Sequence, residues 1–498
     1  MLSRHAKSAI PRSGADGPMP NSPAMSASLA HPLYYQPGQN VDLSAWLHEL
    51  NGLDLDLSPE ARARAAADYH WYSPVLAARL AGKLPAVVAR PRSVMDVQRI
   101  AAACARHRVP LTLRGGGTGN YGQCVPLYGG ATLDTTALNH VLKIEDGWAI
   151  VEPGVLMHDL NEAAAASGQQ LRMWPSTARI ATLGGFIAGG HSGIGSIRHG
   201  ILADPGNVRR LRVLTLEDPP RLLDLVGADI QKVHHAYGSN GVIVEVEIAL
   251  TPKVSWQHTI ALFDTYDAVL RFGLAVGGAA VRQPREIDVF QLSAVERRIT
   301  PYYAGLRTQL EDADAMFAQV SPDTLPAYAA IVKHMGGRLV VHGSEAELLA
   351  RGLPSVTECA YNHTTLEALK SDRGVTYLQV AYPGPLDPAL VARQMLRFGD
   401  EVFMHHEFSQ AANELVAFAL PLVQYFDEAQ LQDLKKSFEA DGCWIFDPHT
   451  WVLEDGGMKQ VDQAQLDFKK LADPQGLMNP GKVRAWDELV LGRPGGQL

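Results

Sequence analysis

Apolar and polar positions change their spacing several times along this chain, and each change predicts an element. Residues 85–91, Pro-Ala-Val-Val-Ala-Arg-Pro, form a short continuous apolar run closed by prolines, the pattern of a buried strand. Ser93 then stands three residues before Asp96, a helix-start pattern, and Val94, Val97, Ile100, Ala101 and Cys104 follow at helical spacing. Leu111-Thr112-Leu113 reads as a second strand, so the unit is strand–helix–strand. Strands are also expected at 131–134 and 149–152, a turn at Pro153-Gly154, and a helix at 157–167 that ends at Gly168. Strict alternation over 242–248 predicts a further strand. After Pro252 the texture changes to strands (338–342, 376–381) set between helices (344–350 with a Ser344/Glu347 capping box, 388–398 and 428–439). There is no internal repeat.

The strand at 111–113 empties into Arg114-Gly115-Gly116-Gly117-Thr118-Gly119-Asn120-Tyr121-Gly122. So many glycines expose consecutive backbone N–H groups, and such a nest binds anions, most often a phosphate or pyrophosphate. Gly117, Gly119 and Gly122 fit the dinucleotide fingerprint G-x-G-x-x-G, and Asp134 stands near the place of its ribose-binding acid. That fingerprint must open a crossover helix, yet the chain continues Gln123-Cys124-Val125-Pro126-Leu127-Tyr128-Gly129-Gly130, with a proline and two glycines where the helix should be, which disfavours that reading. Two more glycine islands follow, at 182–195 and at 238–241. A mononucleotide needs one such loop. Several, serving one extended ligand, lean toward a dinucleotide with a large flat ring, FAD.

Length and composition narrow the class. A chain of 498 residues needs two or more cores. Its 46% hydrophobic and 19% charged content is that of a globular protein. A net charge of −9 argues against nucleic acid or an anionic membrane surface as the main partner. No apolar run approaches the roughly 20 residues of a membrane span. Cys104, Cys124, Cys359 and Cys443 are far apart and read as reduced thiols of a cytoplasmic protein. The first 45 residues, rich in Ser, Pro, Ala and Gly, read as a mobile tail without a secretory signal.

Taken together, the islands resemble the vanillyl-alcohol oxidase / p-cresol methylhydroxylase family of flavoenzymes. Residues 85–134 resemble its first FAD subdomain and residues 151–195 its second. The segment 241–244 resembles a strand whose backbone meets the flavin. Asp473-Pro474-Gln475-Gly476-Leu477-Met478-Asn479-Pro480-Gly481-Lys482 resembles the terminal motif of the D-lactate dehydrogenase and glycolate oxidase branch. The resemblance implies an α+β protein: a two-subdomain PCMH-type FAD-binding domain over 46–253, an α+β substrate (cap) domain over 254–440, and a C-terminal return over 441–498 packing on the FAD domain. It implies FAD contacts from Arg114, Gly115, Gly116, Gly117, Thr118, Gly119 and Asn120. Further contacts would come from Ser176, Thr177, Thr182, Gly184, Gly185, Ala188 and Ser192, from Val242, Ile243 and Val244, and from Asn479.

Two departures sharpen the expectation. Members with a covalently attached flavin often carry His where this chain has Thr118, and doubly linked ones add a Cys near 174–176, where none stands. Non-covalent FAD is therefore expected, with Cys124 read as a loop filler. The hydroxy-acid branch carries a His-rich motif and a Glu-His-Gly segment that resemble a divalent-metal site. Here Glu454-Asp455-Gly456-Gly457 stands instead, and His405-His406 on a strand would point to opposite faces, so no metal is expected.

Candidates for the chemistry are His449 and Glu454 in the return segment and His191 in the second island. His449 is either a general base or a hydrogen-bonded structural ring; His191 either binds substrate, gates oxygen or is structural. Arg198 either neutralises an anion or is a solvated charge. The expected function is transfer of hydride from a small polar alcohol or hydroxy acid to the flavin, which oxygen or another acceptor reoxidises. An aromatic-alcohol or amine oxidase, or a flavin subunit without its own substrate site, are the alternatives. Assembly into a homo-oligomer is left open.

Overall fold

The first strand–helix–strand unit forms as its sequence pattern dictates. In this computed structural model, which describes Val41 and residues 43–491, Ser93 accepts the Asp96 N–H at 3.1 Å and starts the helix Val94–His107. Arg108, in the left-handed region, returns its N–H to the Cys104 carbonyl and ends it. Val97, Ile100, Ala101 and Cys104 are buried on one face, each large aliphatic contributing roughly 1.5–3 kcal/mol by burial. They pack on a four-stranded sheet ordered Leu55–Asp56, Val87–Ala89, Ala131–Asp134, Leu111–Arg114. The last three strands are mutually parallel. Most of the segment read as a mobile tail lies outside the described residues. Its last three positions begin the helix Leu43–Glu49, whose Trp46 is fully buried against this core.

A second, six-stranded antiparallel sheet is built on the long strand Val242–Pro252, which pairs with Trp148–Val151, Val208–Leu214 and Gln169–Leu171. The helix Met157–Ala165 covers it with Met157, Leu160 and Ala164. The third sheet has eight strands in the order Arg338–Gly343, Gln257–Phe263, Asp314–Val320, Val289–Val295, His405–Ala411, Glu414–Ala419, Val380–Ala381, Trp444–Ile445. The 17-residue helix Tyr266–Arg282 packs across it, followed by Pro388–Phe398 and Leu325–His334.

Three details depart from the sequence reading. The predicted strand 376–381 is two strands, Val375–Tyr377 and Val380–Ala381, in different sheets. Trp444–Ile445, assigned to the C-terminal return, is the edge strand of the cap sheet, and the return proper begins after it. The second glycine island contains a helix, Leu183–Gly189, because Thr182 accepts the Gly185 N–H at 3.2 Å and supplies the start that glycine content alone argues against.

The terminal motif closes the molecule. Leu111 donates to the Leu477 carbonyl and accepts from Asn479 N–H, so the tail lies beside the strand that leads into the glycine loop. Asp473 holds the turn through the N–H groups of Leu477 and Met478 and through Lys469.

Candidate functional site

All three glycine islands open onto one cleft, which runs from the parallel sheet to the cap sheet. The first island, 115–119, is loop, with no helix before the strand at Ala131. This excludes the dinucleotide fingerprint reading that Gly117, Gly119 and Gly122 invite. The N–H groups of residues 116–120 donate to no acceptor among the described residues. Unpaired N–H groups aimed at a cleft need an outside acceptor, so the loop fits an anion such as a diphosphate.

Close packing explains the bare backbone. A Cβ on Gly116 would sit inside the van der Waals radius of the Ile180 carbonyl oxygen, and one on Gly115 would strike the Thr182 hydroxyl. Loop meets loop here without side chains between them. Gly117 has φ of 65° and lies over the Arg114 guanidinium. Arg114 does not reach freely into the cleft: it donates to the Ala67 carbonyl at 2.5 Å and lies 3.2 Å from the Cys124 sulfur. Gln123 ties the loop to the second island through the Gly189 carbonyl at 3.1 Å. Asn120 and Tyr121 tie it to the cap, at 2.5 Å to the Tyr377 hydroxyl and 2.6 Å to the Gln379 side-chain oxygen.

Of the residues expected around the cofactor, Arg114, Gly115, Gly116, Gly117, Thr118, Gly119 and Asn120 line the cleft, with Ser176, Thr177, Thr182, Gly184, Gly185, Ala188, Ser192, Val242 and Ile243. Two lie elsewhere. Val244 is the extra residue of a bulge between Ile243 and Glu245, and it is buried in the core behind the sheet. Asn479 spends its amide on the carbonyls of Gln123, at 2.8 Å, and Tyr237, at 2.6 Å; it pins the loops from behind and does not line the cleft. Lys482 acts beside it, donating to the Gly122 carbonyl at 2.5 Å, with its pKa pushed down to about 7 by burial.

The catalytic candidates separate. His191 lines the cleft and its ring makes no hydrogen bond among the described residues; burial pushes its pKa down to about 4, so the ring is neutral at ordinary pH. Its neighbours are Phe418, Phe446 and His235, at 5.8, 6.0 and 6.4 Å between ring centres. His449 does not line the cleft. Its Nε2 contacts the Tyr377 carbonyl at 2.9 Å and its Nδ1 the Ser73 hydroxyl at 2.7 Å, which corrects the base assignment to the structural alternative. Glu454 is corrected likewise: its carboxylate accepts the N–H groups of Arg484 and Ala485, at 3.0 and 2.9 Å, and caps the last helix. Arg198 is paired with Asp288 at 2.9 Å, outside the cleft. His405 turns to Glu407 and His406 to Tyr266, on opposite faces. Among the described residues no group of His, Cys, Asp and Glu is placed to hold a metal.

Several residues lining the cleft carry no sequence signal. Tyr361 is the most telling. Its φ is 50°, a region costly for a tyrosine. The buried Glu407 carboxylate accepts its N–H at 2.7 Å and also the Ser293 hydroxyl at 2.6 Å. The Tyr361 hydroxyl donates to the Gly193 carbonyl at 2.8 Å and lies 3.3 Å from Ser409. Gln379, Phe418 and Phe446 complete this end. None sits in a motif; pairing between distant strands brings them together.

Comparison with known proteins agrees with this geometry. Residues 85–218 match the family described as FAD binding domain. A glycolate oxidase subunit GlcD of Bacillus subtilis is 30% identical over 195 residues, 37% of this chain and 41% of that protein. The chain thus spans about two fifths of the length of the glycolate oxidase relatives it matches. An uncharacterised oxidoreductase of Rhodococcoides fascians is 25% identical over 81% of this chain and 94% of its own. A 4-ethylphenol oxidase of Gulosibacter chungangensis shares the fold, with a TM-score of 0.61 and 16% identity over 88% of this chain and 96% of that one. The cofactor of the cleft is FAD.

Proposed function

We propose that this chain is a member of the vanillyl-alcohol oxidase / p-cresol methylhydroxylase flavoenzymes and oxidises a hydroxyl-bearing small molecule in the cleft between its glycine loops and its cap sheet. One observation carries this reading: a neutral imidazole, His191, that makes no hydrogen bond among the described residues lines the same cleft as the unpaired N–H groups of the first island. FAD held there would supply the redox chemistry, a hydride acceptor that oxygen or another acceptor reoxidises. The chain's own groups do the rest. The N–H groups of 116–120 hold the diphosphate. His191 takes the hydroxyl proton as the C–H is lost, leaving a carbonyl product. Tyr361, held by Glu407, orients the substrate from the cap. The glycolate oxidase relatives support hydroxy acids among the substrates, alongside plain alcohols.

Non-covalent attachment is part of the proposal. Of the four cysteines, all free, Cys124 alone lines the cleft, and burial pushes its thiol up to about 12, away from the reactive thiolate. Four unpaired cysteines also support a reducing, cytoplasmic compartment. The test is anaerobic: alcohols and hydroxy acids are added to the purified yellow protein and absorbance near 450 nm (roughly the flavin maximum) is followed. Bleaching by at least one supports the reading, and a flavin that no hydroxyl compound reduces sinks it.

A further inference from the structure

We propose that His235 is a positioning residue for His191: its backbone and ring hold the turn that carries His191, and its ring keeps water from behind that imidazole. This rests on the reading of His191 as the base and adds to it a residue that does not itself line the cleft.

The helix Leu183–Gly189 ends just before His191, and the last four carbonyls of a helix lack partners within it. Here each has a donor. Gly190 N–H donates to Phe186 at 2.7 Å. The N–H groups of His235 and Tyr237 donate to Ile187 and Ala188, at 3.0 and 2.9 Å, and the Gln123 amide to Gly189 at 3.1 Å. One residue further on, His235 Nδ1 donates to the Gly190 carbonyl at 2.9 Å. Leu202 N–H holds the far side through the His191 carbonyl, also at 2.9 Å. The main chain is thus fixed on both sides of the His191 ring, and His235 makes two of the bonds that fix it.

This arrangement is strained in two ways, and both fall on the same short segment. His235 and Tyr237 have φ of 47° and 52°, in the left-handed region, at roughly 1–3 kcal/mol each. Glycine or asparagine takes that backbone with less strain. Because Nδ1 donates to a carbonyl, Nε2 of His235 carries the lone pair, and it is buried with no partner among the described residues. What histidine adds at this position is the ring. It stands edge-on to the His191 ring, with centres 6.4 Å apart and planes at 85°. Around it stand His234 and Tyr237, with ring centres at 6.1 and 5.3 Å, and Lys459, which donates to the His234 carbonyl. On its other sides His191 meets Phe418 and Phe446, which carry no charge. His235 therefore closes the polar side, where a missing ring would admit water to the Gly190 carbonyl and to His191.

The test compares His235→Gly with His235→Asn in the holoenzyme. Glycine keeps the left-handed backbone and removes the ring. Asparagine keeps that backbone and sets its amide nitrogen where Nδ1 stands, but lacks the outer half of the ring. Anaerobic bleaching of the flavin is followed with benzyl alcohol and with glycolate. With whichever bleaches the wild type, the saturating rate of His235→Gly is expected to fall about tenfold to a hundredfold, with FAD content and the half-saturating concentration within about twofold. His235→Asn should recover most of that rate. Isotope-labelled histidine gives a readout that needs no substrate. The His191 ring NMR signal, identified by its loss in His191→Asn, should stay neutral above about pH 5 in the wild type and titrate closer to 6.5 in both His235 variants, as water reaches it. A His191 ring that titrates as in the wild type in both variants overturns the proposal. So does a wild-type rate in His235→Gly where His191→Asn is slow, or FAD loss that matches the loss of rate. If neither compound bleaches the flavin, or His191→Asn bleaches normally, the base reading falls and the ring titration alone decides on His235.

Discussion

The two ends of the cleft are made of different material. At the FAD end the working groups are main-chain N–H donors, and the sequence achieves this by omitting side chains over 115–117 and 184–185. At the cap end the lining groups are side chains, His191, Tyr361, Gln379, Phe418 and Phe446, gathered from segments far apart in the chain. Backbone recognition is indifferent to neighbouring side chains but intolerant of added atoms. Side-chain recognition is the reverse: each position can be changed without losing the fold, and each change alters what binds.

The sharpest way to break this comparison is to add one methyl at the FAD end. Gly116→Ala forces a Cβ against the Ile180 carbonyl, backbone against backbone, where neither loop can yield cheaply. FAD content per purified protein, read as the ratio of flavin to protein absorbance, is expected to fall roughly tenfold or more, about 1.4 kcal/mol or more in binding. Full occupancy would mean that the loops do not converge on the cofactor.

The next largest effect belongs to the cap end. His191→Asn keeps a polar group but removes the proposed base, and kcat should fall roughly 10²–10⁴-fold while FAD content stays unchanged. Because burial lowers the pKa of His191 to about 4, the wild-type rate should hold as pH falls through 6.5 and decline only as it approaches 4. A decline centred at 6.5 would place the base elsewhere.

The same burial sets acid stability. His191 and His449 are lowered to about 4 and His406 to about 3, all chiefly by desolvation. The unfolded chain protonates these rings below about 6.5, while the fold keeps them neutral. Their contribution is complete above that pH and is lost as pH falls toward 3–4. Melting temperatures measured from neutral to acid pH should therefore drop steadily through this window. A flat profile would contradict the buried neutral rings.

A smaller effect tests how the cap end holds its shape. Glu407→Gln keeps the volume but weakens the acceptor for Tyr361 N–H and Ser293 O–H. Hydrogen bonds to charged groups contribute roughly 1.5–3 kcal/mol, part of which stabilises the strained Tyr361 backbone. KM should rise several-fold, with FAD content and the pH profile of kcat unaltered. A change confined to stability, with KM untouched, would make Glu407 purely structural.

What could be read from the chain follows the same divide. The loop 114–122 was legible because glycine is a local signal with a single physical meaning. The unit 87–114 was legible because strand period, helix period and the Ser93 cap agree. The helix Leu183–Gly189 was hidden by glycines that propensity disfavours and a threonine cap rescues. His449 and Glu454 misled because titratable residue types say nothing about direction: one turns to Ser73, the other to a helix start. Tyr361, Phe418 and Phe446 were invisible: the pairing of Glu414–Ala419 with Val380–Ala381, and of the latter with Trp444–Ile445, brings the two phenylalanines to one wall, and Glu407 holds Tyr361 there.

Cys124 offers the finest discrimination, because it lies at the FAD end yet is a side chain. Its sulfur is 3.2 Å from Arg114 Nη1 and 3.7 Å from Asp68, contacts that a serine hydroxyl would keep. If the FAD end is recognition by main chain, Cys124→Ser should leave FAD content within about twofold and cost about 1 kcal/mol or less of stability. Flavin should precipitate with neither protein when acid is added, since burial holds the thiol near 12 and denies it the thiolate that a flavin bond would require. Flavin retained by the wild-type precipitate and released by the serine variant would show that this end, too, relies on a side chain, and the contrast between the two ends would dissolve.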